Sequence, residues 1–335
     1  MSTRVAVDAV GGDHAPDVIV DGAIAAVRHD GIEVVLVGPR SAIESSMARH
    51  TDDFTGITIV DAPDVIGMTE SPSVALRQKQ RSSLHVGATL LSTGKVDAFA
   101  SAGNTGAVMA IAYHVLGRIE GVLRPTVMGL FPSIRGSVVV LDVGTNVDCK
   151  ADHLHQFAIM GSTYARRMLD IDRPSVGLLN VGEEPGKGNA LTKETYAILA
   201  ADEDINFIGN IEGRDILAHA ADVVVCDGFV GNVILKLGES VASALPHMIG
   251  AEMKRLKLGD SEREVVAHVL AGVKHRFDYE QHGGAPMLGV KGNVVLGHGG
   301  STAVAIENMI LTAATLGRHD VQGALANAFA QKQSV

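Results

Sequence analysis

Short, mostly β-branched apolar runs alternate along this chain with longer stretches whose apolar positions recur every three or four residues. The short runs cover residues 4–7, 33–37, 58–60, 98–100, 137–141, 175–179, 206–208, 223–226 and 293–296. Continuous apolar runs of this length suit strands buried on both faces, as in a parallel sheet. The longer stretches, at 17–29, 73–91, 107–116, 156–169, 192–201 and 232–249, predict helices. In the first of these, Val18, Ile19, Ile24 and Val27 form the stripe that an amphipathic helix turns toward a core. Strand–helix alternation predicts an α/β sandwich. No repeat, low-complexity tract or clear linker interrupts it, so one domain over 1–335 and two lobes around one cleft are both open.

Residues 238–280 break the alternation. They predict two helices about a turn at 257–261, the first carrying Val241, Leu245, Met248 and Ile249 and the second Val265, Val269, Leu270 and Val273. Lys254, Arg255, Lys257, Arg263, Lys274, His275 and Arg276 decorate the pair. Such a hairpin either projects to meet a second copy, another protein or a membrane surface, or packs on the body as ordinary amphipathic helices.

Seven glycine-punctuated polar segments sit at the ends of the apolar runs: 8–16 (DAVGGDHAP), 101–107 (SAGNTGA), 142–150 (DVGTNVDCK), 180–189 (NVGEEPGKGN), 206–214 (NFIGNIEGR), 227–232 (DGFVGN) and 283–301 (GGAPMLGVKGNVVLGHGGS). Glycine lets backbone approach a ligand closely. Turns of this kind placed after strands converge on one cleft at the carboxyl edge of a parallel sheet, and their chemistry is anion handling.

In the first segment Gly11 and Gly12 permit a tight turn. Asp13 or Ala15 is the expected start of the next helix, with Pro16 in its first turn. Carboxylates do not bind phosphate, so Asp8 and Asp13 are expected to orient His14 or backbone groups. In the second, the backbone of Asn104, Thr105 and Gly106 is expected to form a nest for phosphate or an oxyanion. Ser101, Asn104 and Thr105 add side-chain donors. The segment at 180–189 departs from a P-loop: its spacing is Gly-x-x-x-Gly-Lys, and Gly188 stands where Ser or Thr would hold magnesium. Lys187 remains a point charge suited to a simple phosphate. Asp227 ends a strand, and Asn232 is a helix cap or a donor. Gly283, Gly284 and His298 flank the strand at 293–296, with His298 a base or a phosphate donor. Cys149 is either a covalent nucleophile or an inert thiol.

Composition narrows the field. With 335 residues and 46% hydrophobic content the chain can bury a large core. Aromatics are 4% and Trp is absent, which disfavours a nucleic-acid stacking surface. A net charge of −10 disfavours polyanionic partners. Two cysteines give no disulfide framework and suit a reducing cytosol. No HExxH or paired CxxC is present, so no metal is expected. No signal-peptide pattern is visible, and no apolar run reaches the roughly 18 residues that span a bilayer. The expectation is a cytoplasmic protein, at most peripheral on a membrane.

In this order the segments resemble the phosphate acyltransferase family of bacterial phospholipid synthesis (the PlsX family). The likeness covers essentially the whole chain and rests on DAVGGDHAP at 8–16, SPSVALRQKQRSSL at 71–84, SAGNTGA at 101–107, DVGTNVDCK at 142–150, LLNVGEEPGKGN at 178–189, FIGNIEGRDI at 207–216, CDGFVGNVILKL at 226–237 and GGAPMLGVKG at 283–292. Val10 stands where the family usually has Met, and Met287 where Leu is common.

The resemblance implies a three-layer α/β/α sandwich similar to isopropylmalate dehydrogenase and phosphotransacetylase. It implies a homodimer that moves a long fatty acyl group from acyl carrier protein to inorganic phosphate, with no cofactor. A membrane glycerol-3-phosphate acyltransferase then consumes the acyl phosphate, so contact with the inner face of the membrane is also implied. The family's important lysine and asparagine fall on Lys187 and Asn232.

With Asn104, these are the expected catalytic residues. Asp8, Gly11, Gly12, Asp13, His14, Ser101, Thr105, Gly106, Asp227, Gly283, Gly284 and His298 are the expected phosphate and substrate contacts. An acidic carrier protein needs a local basic patch, for which Arg77, Lys79 and Arg81, or Lys254, Arg255 and Lys257, are the candidates. A dehydrogenase of the isopropylmalate type, which would share the fold, and a non-enzymatic peripheral scaffold are the competing readings.

Overall fold

The computed structural model describes residues 2–277 and 283–333. Its strands are β1 (Thr3–Asp8), β2 (Ile32–Gly38), β3 (Ile57–Asp61), β4 (Ala98–Ser101), β5 (Thr126–Ser133), β6 (Gly136–Leu141), β7 (Ser175–Leu179), β8 (Asn206–Ile211), β9 (Val223–Val225), β10 (Ala285–Leu288) and β11 (Asn293–Leu296). Its helices are α1 (Asp17–Ala26), α2 (Arg40–Met47), α3 (Pro72–Gln78), α4 (Ser83–Ser92), α5 (Thr105–Leu116), α6 (Ala151–Met168), α7 (Ala190–Ala201), α8 (Gly213–Leu217), α9 (Gly228–Arg255), α10 (Asp260–Phe277), α11 (Ala303–Arg318) and α12 (Val321–Gln333).

The strands join one 11-stranded sheet in the order β3-β2-β1-β4-β11-β10-β5-β6-β9-β7-β8. One core layer lies under α1, α6, α11 and α12, built on Ile19, Phe157, Tyr164, Ile306 and Phe329. The other lies under α4 and α5, built on Leu84, Phe99, Val108 and Ile111. This is the expected three-layer α/β/α sandwich.

The expectation of uniformly parallel strands is corrected. β10 pairs antiparallel with both β11 and β5, and β5 pairs antiparallel with β6. The run β6, β9, β7, β8 is internally parallel but opposed to β1, β4 and β11. β5 and β10 escape the sequence pattern because Gly129 and Pro132 interrupt the first and Pro286 the second; both residue types are depleted in strands.

The helix expected at 73–91 is broken into α3 and α4. Arg81 N donates to Asp64 Oδ2 (3.1 Å), and Ser82 restarts the chain as the cap of α4. The long helix of the hairpin does not begin at 238 but at Gly228, so hairpin and site share one helix. Residues 278–280, and the side chains of Lys274, His275 and Arg276, lie outside what is described.

α12 is tied down by charge as well as by Phe329. Lys332 Nζ donates to Asp202 Oδ1 (2.5 Å) and lies 2.7 Å from Asp204, while His155 sits 2.6 Å from the other Asp202 oxygen. Burial alone would raise Asp202, but Lys332 and His155 outweigh it and hold its carboxyl below the ordinary 3.8. A depressed carboxylate contributes stability above its unfolded value, and that stability is lost as pH falls through the folded value. Asp202→Asn is therefore expected to flatten the acid limb of stability below pH 3.8, measured by urea unfolding across pH. An unchanged limb would remove Asp202 from acid unfolding.

Candidate active site

Three turns meet where β1, β4 and β11 end side by side. Asp8, buried at the end of β1, accepts from Ser101 Oγ (2.7 Å) and Val10 N (3.2 Å), and Ser101 Oγ in turn accepts from Gly103 N (3.0 Å). Burial pushes the Asp8 carboxyl above its ordinary value, against the opposing pull of hydrogen bonds from Ser83, Ser101, Val10 and Gly11. Gly11 has no alternative here, since a Cβ would fall 2.2 Å from Asp8 Oδ2. Asp13 N donates to Gly299 O (2.8 Å), which stitches the first turn to the last.

Of the two expected roles for Asp8, orienting His14 or backbone groups, the hydrogen bonds follow the second: its oxygens are committed to Ser101 and to backbone amides. Nor does Asp13 or Ala15 start α1; the flanking residue is Pro16, with no side-chain cap.

Asn104 is the cap of α5. Its Oδ1 accepts from Ala107 N (3.1 Å), and its Nδ2 faces the carbonyls of Met68 (3.0 Å) and Glu70 (2.8 Å). Both ends of the side chain are thus engaged in positioning, which corrects its expected role as a donor to substrate. The first helical amides, those of Thr105 and Gly106, have no intrahelical acceptor, the arrangement that suits an anion at a helix amino terminus. Gly283 and Gly284 are packing positions. A Cβ on Gly283 would meet Thr312 Oγ1 at 2.0 Å, and one on Gly284 would meet Leu296 O at 2.7 Å. His298 is exposed beside them, its Nδ1 accepting from Gly300 N (3.2 Å).

The second group of turns follows β6, β9 and β7. Its hub, absent from the expected site residues, is Asp142. This fully buried carboxylate accepts from Gly144 N, Thr145 N, Asn146 N and Asn146 Nδ2 at 2.6–3.1 Å. α9 is clamped onto that turn. Gly231 lies so close that a Cβ would stand 1.8 Å from Asp142 O, and one on Gly228 would meet Asn146 N at 2.9 Å. Asp227 caps α9, accepting from Val230 N (2.9 Å). Asn232 is therefore not the cap. It sits exposed in the second turn, its Oδ1 3.4 Å from where a Cβ on Gly144 would be.

Lys187 occupies the next turn along the same edge. Asn180 Nδ2 donates to Lys187 O (3.2 Å), Lys187 N donates to Glu184 O (3.0 Å), and Lys187 Nζ lies 3.9 Å from Glu184 Oε1. The ammonium is half exposed.

Because the two halves of the sheet run in opposite senses, their turns do not line one carboxyl edge. α5 bridges them. Gly106, Met109 and Tyr113 on one face of α5 line a pocket of about 380 Å³ together with Arg124, Thr145 and Asn146. Thr145 also holds the start of β5, accepting from Val127 N (3.1 Å). The pocket reaches Thr145, next in the chain to Gly144, and Asn232 Oδ1 lies 3.4 Å from where a Cβ on Gly144 would be. Arg124, which lies outside every glycine-rich segment, and Asn146, which lies within the one at 142–150, are functional candidates absent from the expected site residues.

Cys149 lies below this path, its Sγ 3.3 Å from Asn146 O. Burial first, then Asp142 and Asp227, push its thiol up to about 12. A thiol held there is not a thiolate at neutral pH. Cys149→Ala is expected to keep at least about half of the wild-type rate, and a loss of turnover would restore a covalent acyl-enzyme.

Two solved structures define the class of fold. A phosphotransacetylase from Streptococcus pyogenes superposes with a TM-score of 0.64 at 17% identity, covering 95% of this chain and 94% of that one. A branched-chain phosphotransacylase from Enterococcus faecalis V583 does so with a TM-score of 0.61 at 14% identity, covering 95% and 99%. Sequence carries the identification further. The family described as "Fatty acid synthesis protein" matches residues 3–323. A phosphate acyltransferase of Salinibacter ruber is 50% identical over 331 residues, 98% of each chain, and one of Geotalea daltonii is 46% identical over 92% of this chain and 88% of that one. The chain belongs to this family of phosphate acyltransferases, enzymes of fatty acid and phospholipid synthesis.

Proposed function

We propose that the enzyme transfers a long fatty acyl group from acyl carrier protein to inorganic phosphate and releases acyl phosphate for phospholipid synthesis. The observation that carries the proposal is the pocket beside α5, lined by Gly106, Arg124, Thr145 and Asn146, next to the Gly144 turn against which Asn232 rests. A dianion suits a helix amino terminus, and Lys187 supplies a mobile point charge in the turn after β7. The phosphate oxygen attacks the thioester carbonyl, the new C–O bond forms, and negative charge grows on the carbonyl oxygen. Asn232 Nδ2 donates to that oxygen. The C–S bond then breaks. A thiol's pKa of about 8.5 makes the thiolate a good leaving group, so direct attack needs no strong general acid and no acyl-cysteine.

The surroundings fit the wider proposal. Val233, Leu237, Val241, Leu245, Met248, Val265 and Val269 leave apolar surface exposed on α9 and α10, which suits a second copy or a membrane face. We propose a homodimer, peripheral on the inner membrane face, that hands acyl phosphate to a membrane glycerol-3-phosphate acyltransferase. Among the described residues no helix is long and apolar enough to cross a membrane. Lys79 and Arg255 are already matched by Glu70 and Glu252. Docking of the acidic carrier therefore falls to Arg77, Arg81, Lys254 and Lys257.

The test is to incubate an acyl carrier protein thioester with and without inorganic phosphate. Phosphate-dependent appearance of acyl phosphate is expected. Its absence, with thioester intact, would refute the reading.

A further inference from the structure

α10 folds back along α9 and roofs a cavity of about 330 Å³ against β5 and α8. Phe131, Ile216, Leu235, Ala242, Ile249 and Leu270 line it. Its walls are hydrocarbon almost throughout, and the one carboxylate on them, Glu239, is held by Lys236 Nζ (2.8 Å). The cavity's lining begins one turn along α9 from Asn232: residues 232 and 235 share a face at helical spacing, and Leu235 is in the wall. The volume lies at the lower end of small-molecule sites, about 300–1,000 Å³.

Gly238 is the telling residue. A glycine inside a helix weakens it, and usually something requires it. Gly228 and Gly231 in the same helix are required, since a Cβ there would strike Asn146 backbone at 2.9 Å and Asp142 O at 1.8 Å. Gly238 has no such neighbour: a Cβ would meet Phe131 Cε1 at an ordinary 3.8 Å. Its φ is not among the positive ones either. What the missing side chain leaves is room in the cavity it lines. Pro246 is a second helix-weakening residue in the same wall, and it lacks the N–H that would bond the Ala242 carbonyl. An unfilled apolar void is itself destabilising. Two helix-weakening residues in the wall of one apolar void point to an occupant.

We propose that this cavity receives the hydrocarbon tail of the fatty acyl group whose thioester carbonyl sits at Asn232. The inference rests on the acyl-transfer reading above and adds the subsite that selects chain length. Each buried methylene is worth about fourfold in affinity, so kcat/KM climbs with chain length until the cavity is full.

The test uses the full chain, inorganic phosphate, and butyryl, octanoyl, lauroyl and palmitoyl thioesters of acyl carrier protein. In Gly238→Leu the palmitoyl kcat/KM is expected to fall about tenfold or more, the worth of two methylenes, with the butyryl value unchanged. The thermal melt should be no lower than wild type, because leucine is the better helix former. An unchanged palmitoyl-to-butyryl ratio in folded Gly238→Leu overturns the proposal, and an altered oligomeric state with that same ratio does so too. If Gly238→Leu melts early, Ala242→Val carries the same comparison.

Should no thioester yield acyl phosphate, the acyl-transfer reading falls on its own. Calorimetry with palmitate then decides the cavity separately. Binding that Gly238→Leu abolishes upholds an acyl subsite, and no binding to wild type removes it.

Discussion

Asn232→Ala is expected to lower kcat for acyl phosphate formation by about 10²–10³-fold, the usual cost of one oxyanion donor. KM for phosphate should change little, because the donor acts on charge that appears only in the transition state. Folding should be spared. Asp227 caps α9, and Asn232 is exposed in its second turn, so a wild-type melting curve is the control. Lys187→Ala has a different signature. Losing a charge-assisted contact to a bound dianion should raise KM for phosphate by about ten- to a hundredfold. Steady-state rates against phosphate concentration separate the two patterns. Near-wild-type turnover in both variants would dismantle the proposed chemistry, and a shared loss of melting temperature would reduce both residues to scaffolding.

Gly231→Ala is the largest structural effect expected from adding one methyl group. Its Cβ would lie 1.8 Å from Asp142 O and 3.0 Å from Cys226 Sγ, with backbone on one side and a buried side chain on the other. Neither can yield locally, so α9 must lift from the turn that orients Asn232. Overpacking of this kind costs about 3 kcal/mol. The variant should melt several degrees lower and lose activity together with Asn232→Ala. The control is Gly238→Ala seven residues later, where a Cβ meets only Phe131 Cε1 at an ordinary 3.8 Å; replacing a helix-interior glycine there should stabilise by about 0.5–1 kcal/mol. Equal melting temperatures for the two variants would contradict the clamp.

Which parts of this could be read from sequence follows from which are local. The runs at 175–179 and 293–296 coincide residue for residue with β7 and β11, because a short β-branched stretch has few other uses. Strand sense is not local. Nothing in the residues of β6 says that it opposes β4; that is fixed by the pairing of β10 and β5, the two strands that glycine and proline hide. The turns were legible as places, less so as roles. Asn104 looks like a phosphate donor until the carbonyls of Met68 and Glu70, more than thirty positions earlier, claim its amide. Asp142 opens one of the glycine-punctuated segments, but its role as a hub was not legible there, because that role lies in the backbone amides folding around it. Thr105, Lys187 and Asn232 are exposed, so the fold does not claim their side chains as it claims that of Asn104.

β11 enters the sheet between β4 and β10, so a segment made near the end of synthesis completes the half begun by the first residues. α11, which follows it, seats against α1 so closely that a Cβ on Gly22 would meet Ile306 at 2.6 Å, and Arg318 Nε donates to Thr3 Oγ1 (3.1 Å). The nascent amino-terminal half must therefore wait on the ribosome with an open edge at β4, and closure of such long-range pairings is slow. An unpaired edge is a site of mispairing. For this enzyme the vulnerable interval falls between the synthesis of β4 and that of β11, when chaperones that shield β4 would matter most.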